Sequence, residues 1–190
     1  MQAGIQEMRL VVQRVAQASV TCHNVASGAG SGGSGGGRTE SIAHGVMCLV
    51  GIEKEDTQED AAFCAQRLLQ LRLFHHSEPQ APSVDTDVGD SDGGGSPVRW
   101  VGRIEDVEGE ILFVSQFTLH AVYKGGRPSF HRAMPPAQSE AFFYDFVESV
   151  RAAYVPQRVK CCVFGSYMNV SLVNSGPVTM IIDSRNPKGG

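Results

Sequence analysis

No stretch of this sequence approaches the roughly 18 consecutive apolar residues needed to span a bilayer. The opening MQAGIQEMRLVVQRV also lacks a basic segment followed by a long apolar one, so neither a membrane partner nor a secretory leader is expected and the chain reads as soluble and cytoplasmic. Cysteine is sparse: Cys22, Cys48, Cys64, Cys161 and Cys162 make an odd set of five without C-x-x-C spacing, which argues against disulfides and structural zinc. The neighbours Cys161 and Cys162 lie in a β-like run, so their side chains point to opposite faces of a sheet, and all five read as small buried hydrophobes. Excess positive charge is missing as well. A net charge of −4 and a pI of 5.8 are the reverse of the basic stripe carried by most nucleic-acid-binding domains, so DNA is not an expected partner and RNA would have to be met locally.

Familiar catalytic signatures are absent too: the sequence holds no G-x-S-x-G elbow, H-E-x-x-H, P-loop or zinc-deaminase pattern. Gly28 to Gly33 satisfies G-x-G-x-x-G on paper, but no helix-forming sequence follows to present amides to a phosphate. The six histidines, His23, His44, His75, His76, His120 and His131, have no ligand-like spacing and read as surface or helix-end residues. Neither a metal nor an organic cofactor is called for.

What is present suits one domain. A chain of 190 residues that is 42% hydrophobic supports a single core, expected over residues 8–183 with terminal extensions 1–7 and 184–190. Two Gly-, Ser-, Pro- and Asp-rich inserts, near 26–40 and 77–97, are too polar to pack. Arg9 to Cys22 alternates apolar and polar residues and is rich in β-branched types, predicting two strands with a break near Arg14. Ile42 to Ile52 completes a hairpin across the first insert. Thr57-Gln58-Glu59-Asp60 has the form of a capping box, and apolar residues at helical spacing extend the helix over about 58–73. Val98 to Gly102 is a short strand candidate, and Glu110 to Leu119 is a longer one. Pro135-Pro136 opens a second helix over 137–154, with Phe142, Phe146, Val150 and Ala153 as its apolar stripe. Arg158–Phe164, Met168–Val173 and Pro177–Asp183 read as strands. The class is therefore α+β: a mostly antiparallel, barrel-like sheet core covered by two main helices.

Two segments stand out chemically. In Ser115-Gln116-Phe117-Thr118 an apolar strand ends in hydrogen-bonding side chains around one aromatic, which describes either a polar strand rim or a set of amides around a reacting carbonyl. Asn174-Ser175-Gly176-Pro177 would ordinarily be a tight hairpin turn. Ser-Gln-Phe-Thr-Leu at 115–119, Gly126-Arg127-Pro128-Ser129-Phe130, and Met168 to Val173 running into Asn174-x-Gly176-Pro177-Val178-Thr179 together resemble the D-aminoacyl-tRNA deacylase family. Val12-Gln13-Arg14-Val15, Ala18-Ser19-Val20 and Val50-Gly51-Ile52-Glu53-Lys54 match the same family, so the resemblance runs from Met8 to Ile182 outside the inserts.

The resemblance implies a homodimer that hydrolyses the ester joining a D-amino acid, or glycine, to the 3′-terminal adenosine of tRNA. A cis Gly176-Pro177 pair would enter the partner's site and exclude L side chains with its main chain, with Asn174, Val178 and Thr179 completing the motif and Arg14 bracing it. Ser115 and Gln116 would line the aminoacyl side, Phe117 and Thr118 would give backbone donors near the scissile carbonyl, and Phe164 and Met168 would wall the adenine. Water aided by the ribose 2′-hydroxyl is preferred as nucleophile, with Thr118 as the alternative. Lys124, Arg127 and Arg132 fit either phosphate contacts or an ordinary solvated loop. The rival readings are a relaxed relative with a trans Gly-Pro bond and a non-catalytic RNA-binding or scaffold dimer.

Overall fold

A computed structural model describes residues 8–23, 37–75 and 100–186. Both expected inserts lie outside the described residues except for 37–40, and Arg38 to Glu40 belong to a strand, so the first insert stops short of its expected end. Among the described residues there are eight strands and two α-helices: β1 Arg9–His23, β2 Arg38–Ile42, β3 Gly45–Gly51, α1 Gln58–Gln70, β4 Glu110–Ser115, β5 Val122–Lys124, β6 Arg127–Ser129, α2 Pro136–Ala153, β7 Val159–Cys161 and β8 Tyr167–Asp183. The main sheet runs β2-β1-β3-β4-β7, with β8 along the other edge of β1. β1 outruns any one neighbour on that first edge, so Arg9–Val15 pairs with β3 and Ala18–Cys22 with β2. The Lys160 ammonium donates to the Ser41 carbonyl at 2.6 Å, where β7 curls toward β2 and nearly closes the barrel.

The α+β, single-domain expectation holds, with one refinement. β4 pairs in parallel with both β3 and β7, while every other pairing is antiparallel. The reason is burial on both faces, which parallel central strands require. Val46, Cys48, Ile111 and Phe113 face a core covered by the helices, and Met47, Leu112 and Val114 face a second core inside the curl. Phe146 of α2 meets Phe113 edge-on at 5.2 Å, which fixes that helix against the strand leading to the candidate site. Ala153, expected in the helix stripe, is exposed.

β1 is one strand where two were expected, and the expected break is a bulge. Its register against β8 shifts between Gln13 and Val15 and again between Val15 and Gln17. An extra residue on one strand turns every later side chain to the opposite face. Leu10 and Val12 accordingly enter the helix-covered core, whereas Ala18, Val20 and Cys22 enter the other.

The α1 capping box forms, with the Thr57 amide and hydroxyl both donating to Asp60 Oδ2, at 2.9 and 2.8 Å. The helix ends at Gln70, before the expected 73, because the backbone beyond it is engaged elsewhere. The Leu73 and Phe74 amides donate to the Gly102 carbonyl at 3.0 and 3.1 Å, and the Leu73 carbonyl accepts from Arg14 at 2.5 Å. Gly102 makes only an isolated bridge to Phe74, so the described part of the Val98–Gly102 candidate is no strand. Cys161 and Cys162 enter different cores, as expected. Cys22 and Cys162, by contrast, do not stay independent: their sulfurs meet in a disulfide, with Cα atoms 6.5 Å apart. Among the described residues no helix is long and apolar enough to cross a membrane.

Candidate active site

The expected strand through Leu119 stops at Ser115, and Phe117–His120 forms a 3-10 turn. The Gln116 amide donates to the Val50 carbonyl at 2.8 Å, which anchors the exit of β4 to β3. The first amides of any helix have no acceptor inside it, and here they belong to Phe117 and Thr118, both exposed. The Gln116 carboxamide donates to the Thr118 hydroxyl. A carboxamide orients a hydroxyl but cannot take its proton. Phe117 is 58% exposed and packs edge-on against Phe130 at 4.9 Å.

Behind this turn lies His120, which is buried rather than at the surface. Burial holds the imidazole below its ordinary pKa, opposed by a backbone contact with Gly51. It is packed against Gly51, where a Cβ would come within 3.0 Å of His120 Nε2 and 2.8 Å of Leu119 Cβ. Hydrogen at residue 51 is thus a condition for the turn to sit where it does. Phe164 lies beyond the end of β7, which runs parallel to β4 in the register Phe113 to Cys161. Its amide donates to the Tyr144 hydroxyl at 3.1 Å. Met168 pairs with Cys22, whose sulfur meets Cys162, so the curl brings Met168 toward the same end of the sheet as Phe164.

Asn174 to Thr179 is not the hairpin turn its composition suggests. β8 continues through it, pairing Asn174 with Val15 and Thr179 with Gln13. The residues between them, Ser175 to Val178, oppose Arg14 alone and therefore loop out of the ladder. The Gly176-Pro177 bond is cis, and Gly176 has φ of 116°, a region that disfavours L side chains. Gly176 and Pro177 are exposed while Val178 is buried, so the loop is pinned at one end and presents main chain at its crest.

Arg14 holds this loop from behind. Its guanidinium is buried, donates from Nε to the Ser175 carbonyl at 3.2 Å and from Nη1 to the Leu73 carbonyl, and lies 5.5 Å from the centroid of the Trp100 ring. His44, edge-on to Phe74 at 5.1 Å, is kept below its ordinary pKa by burial and then by the Arg14 charge. Sequence reasoning identified Arg14, named Gly51 and Phe130 only as parts of family-like segments without a role, and missed Trp100 and the burial of His120. The signal for Trp100 was available: it is the only tryptophan in the sequence, and it follows directly on a polar insert.

The two key segments do not meet within one chain. Ser115 aligns with Val50 of β3, which aligns with Leu10 of β1 and Ile182 of β8. Arg14 aligns with Val46, which aligns with Ile111. The Gly176 loop therefore lies about 13 Å along the strands from Ser115, at roughly 3.3 Å per residue, and three strand spacings of about 4.8 Å across.

Among known proteins, the chain matches the family model described as D-Tyr-tRNA(Tyr) deacylase over residues 11–183. It is 35% identical to the D-aminoacyl-tRNA deacylase of Dictyostelium discoideum over 178 residues, covering 94% of this chain and 99% of that one. It is 38% identical to D-aminoacyl-tRNA deacylase 1 of Homo sapiens over 180 residues, covering 95% of this chain and 72% of that one. The solved structure of the c-Myc DNA unwinding element binding protein superposes with a TM-score of 0.70 at 36% identity, over 92% of this chain and 97% of that one. A probable eukaryotic D-amino acid tRNA deacylase superposes with a TM-score of 0.66 at 18% identity, over 93% and 99%, a likeness of fold.

Proposed function

This chain belongs to the D-Tyr-tRNA(Tyr) deacylase family, and on that premise we propose that it hydrolyses D-aminoacyl-tRNA, and glycyl-tRNA, in the cytoplasm, and rejects L-aminoacyl-tRNA through its Gly176-Pro177 main chain. It is an enzyme, a hydrolase acting on aminoacyl-tRNA. The observation that carries the selectivity is the looped-out Gly176-Pro177 pair, exposed at its crest and clasped from behind by Arg14. A main-chain wall cannot step aside by changing rotamer. An L side chain directed at it meets steric cost, and each tenfold of discrimination needs only about 1.4 kcal/mol. Hydrogen meets none, hence glycine passes.

The separation of the two segments within one chain supports a homodimer in which each subunit's loop completes the other's site. β8 offers the surface for it. Among the described residues its only strand partner is β1, and it exposes Val170, Val173 and Ile181 at 39%, 50% and 64%. Apolar exposure along an unpaired edge is what a subunit contact buries.

In the reaction, water attacks the ester carbonyl while the ribose 2′-hydroxyl assists proton transfer. The carbonyl oxygen takes up negative charge facing the Phe117 and Thr118 amides, and the 3′-oxygen leaves with a proton as free tRNA and the D-amino acid separate. Thr118 is not assigned as nucleophile, because a hydroxyl needs a base and its partner is the Gln116 carboxamide. Gln116 and Ser115 orient the aminoacyl group, Phe164 and Met168 flank the adenine, and Asn174, Val178 and Thr179 hold the ends of the loop.

Deacylation of matched D-Tyr-tRNA and L-Tyr-tRNA, with Gly176→Ala alongside, tests this. A Cβ at residue 176 would sit 2.8 Å from Val178 Cγ2 and 3.0 Å from the Val178 amide nitrogen, so the loop must move. The parent should cleave the D substrate only, and the variant should lose either activity or selectivity. Equal cleavage of both substrates by the parent removes the exclusion mechanism. Cleavage of neither by a well-folded dimer favours the scaffold reading.

A further inference from the structure

The deacylase chemistry leaves one exposed feature without a role. β5 and β6 form a two-stranded sheet detached from the main one, rising directly from the 3-10 turn, with Phe117 and Phe130 packed together at its base. In its ladder Lys124 stands directly opposite Arg127, and both are exposed. Like charges at directly opposed positions destabilise a hairpin. Among the described residues no salt bridge relieves either cation. Arg132, by contrast, is engaged by the buried Glu53 at 3.7 Å. At the tip, Gly125 with φ of 61° and Gly126 are open: a methyl group placed on either would have nothing within 4 Å, so a bulky ligand can approach. Tyr123, which alternates to the face opposite Lys124 and Arg127, is 74% exposed.

We propose that the β5–β6 hairpin is a clamp for the unpaired nucleotides preceding the terminal adenosine of the substrate RNA, with Lys124 and Arg127 sharing a backbone phosphate on one face and Tyr123 stacking on a base that turns over the open Gly125-Gly126 tip to the other. The identity of that strand rests on the deacylase reading. The physical case is that of sequence-tolerant single-strand binding, which combines cations tracking the backbone with an aromatic platform. A phosphate between Lys124 and Arg127 turns their mutual repulsion into two attractions. The hairpin spans about 10 Å, three residues per strand at roughly 3.4 Å each, and follows directly on the 3-10 turn whose amides would face the ester carbonyl, so a strand leaving the site reaches the hairpin and can fold around its tip. An acidic protein thereby holds RNA at one local point.

The test separates grip from chemistry. Lys124→Gln with Arg127→Gln, Tyr123→Ser, and Tyr123→Phe are compared with the parent on D-Tyr-tRNA and on the D-tyrosyl ester of adenosine, which has no phosphate. The double variant should raise KM for the tRNA about tenfold at unchanged kcat. It should also flatten the dependence of log KM on log salt by about 0.7 per cation removed, while kcat/KM on the adenosine ester stays level. Tyr123→Ser should raise KM for the tRNA at least fivefold and Tyr123→Phe should restore it, as stacking predicts. Unchanged KM and salt slope, or equal losses on both substrates, would overturn the clamp. Should the parent cleave neither substrate, the deacylase reading fails on its own, and anisotropy with a 5′-labelled single-stranded RNA ending in CCA still decides the hairpin. Binding lost in the double variant supports the clamp, and equal binding of a blunt RNA duplex, or none by the parent, refutes it.

Discussion

Arg14→Lys keeps the positive charge at the back of the Gly176 loop and removes the fork that uses it. In the parent one guanidinium donates to two carbonyls that belong to different parts of the chain, Ser175 on β8 and Leu73 beyond α1. Its plane also lies beneath Trp100. A lysine ammonium is a single point and cannot reach both carbonyls in that arrangement. Losing one charge-assisted hydrogen bond at a buried position costs about 1.5–3 kcal/mol, while some of the cation–π attraction, about 0.5–1 kcal/mol, is retained. A net loss of about 2 kcal/mol lowers Tm by roughly 4–8 °C for a domain of this size, readable by calorimetry or circular dichroism. The functional loss should be larger than the thermal one suggests. The released carbonyl is that of Ser175, next to the wall, so the ratio of D-Tyr-tRNA to L-Tyr-tRNA cleavage should drop at least tenfold. Trp100→Ala, which removes only the cover, should shift the same ratio in the same direction by less. A variant Tm within about 1 °C of the parent together with an unchanged D/L ratio would refute the clasp.

Two further expectations follow from burial. Gly51→Ala forces a methyl against Leu119 Cβ and the His120 ring, overpacking that costs about 1–3 kcal/mol and displaces the 3-10 turn, so kcat should fall about tenfold or more with the fold intact by circular dichroism. A full kcat would mean that the turn tolerates displacement. Asp56 is pushed up to about 7, chiefly by burial, with Asp60 and Glu53 adding to the shift and the Glu53 amide opposing it. Its carboxyl is thus protonated when folded and ionised when unfolded between about pH 4 and 7, and its contribution to stability, full below that window, is lost as pH rises through it. Asp56→Asn retains an acceptor for the Glu53 amide, which bonds Asp56 Oδ2 at 2.7 Å. The Tm of the variant should therefore fall less than that of the parent between pH 5 and 8, and parallel curves would exclude Asp56 as the titrating group.

Local pattern carried most of the fold into the sequence. The capping box at Thr57 and Asp60, the Pro136 start of α2 and the alternation along β1 each depend on neighbours within a few residues, and each is present in the structure. What escaped depended on distant partners. α1 stops early because Arg14 and Gly102 engage the backbone at Leu73 and Phe74, a cause many residues away in the chain. The parallel pairing of β3, β4 and β7 did leave a trace, in the unbroken apolar runs GVMCLVG and ILFV, which mark strands buried on both faces and which a hairpin reading passes over. Composition actively misled at Asn174 to Pro177: turn residues there build an outward loop within one continuous strand.

That misreading and the expected break near Arg14 are two sides of one structural fact. β1 must serve two cores, and to do so it changes face between Val15 and Ala18. A regular ladder cannot survive such a change, so β8 answers with its own irregularity at the same level, the loop carrying Gly176 and Pro177. Arg14 is the residue caught between the two. An arginine buried there would carry a heavy desolvation cost without partners, and it finds them in the Ser175 carbonyl, which the broken ladder has freed, and in the Leu73 carbonyl beyond α1. The clasp is therefore a consequence of the way the barrel curls. Any substitution that restores regular pairing of β1 with β8 would regularise the sheet and withdraw the Gly176-Pro177 crest together, which is why the local rules of strand formation fail at the place where selectivity is proposed to reside.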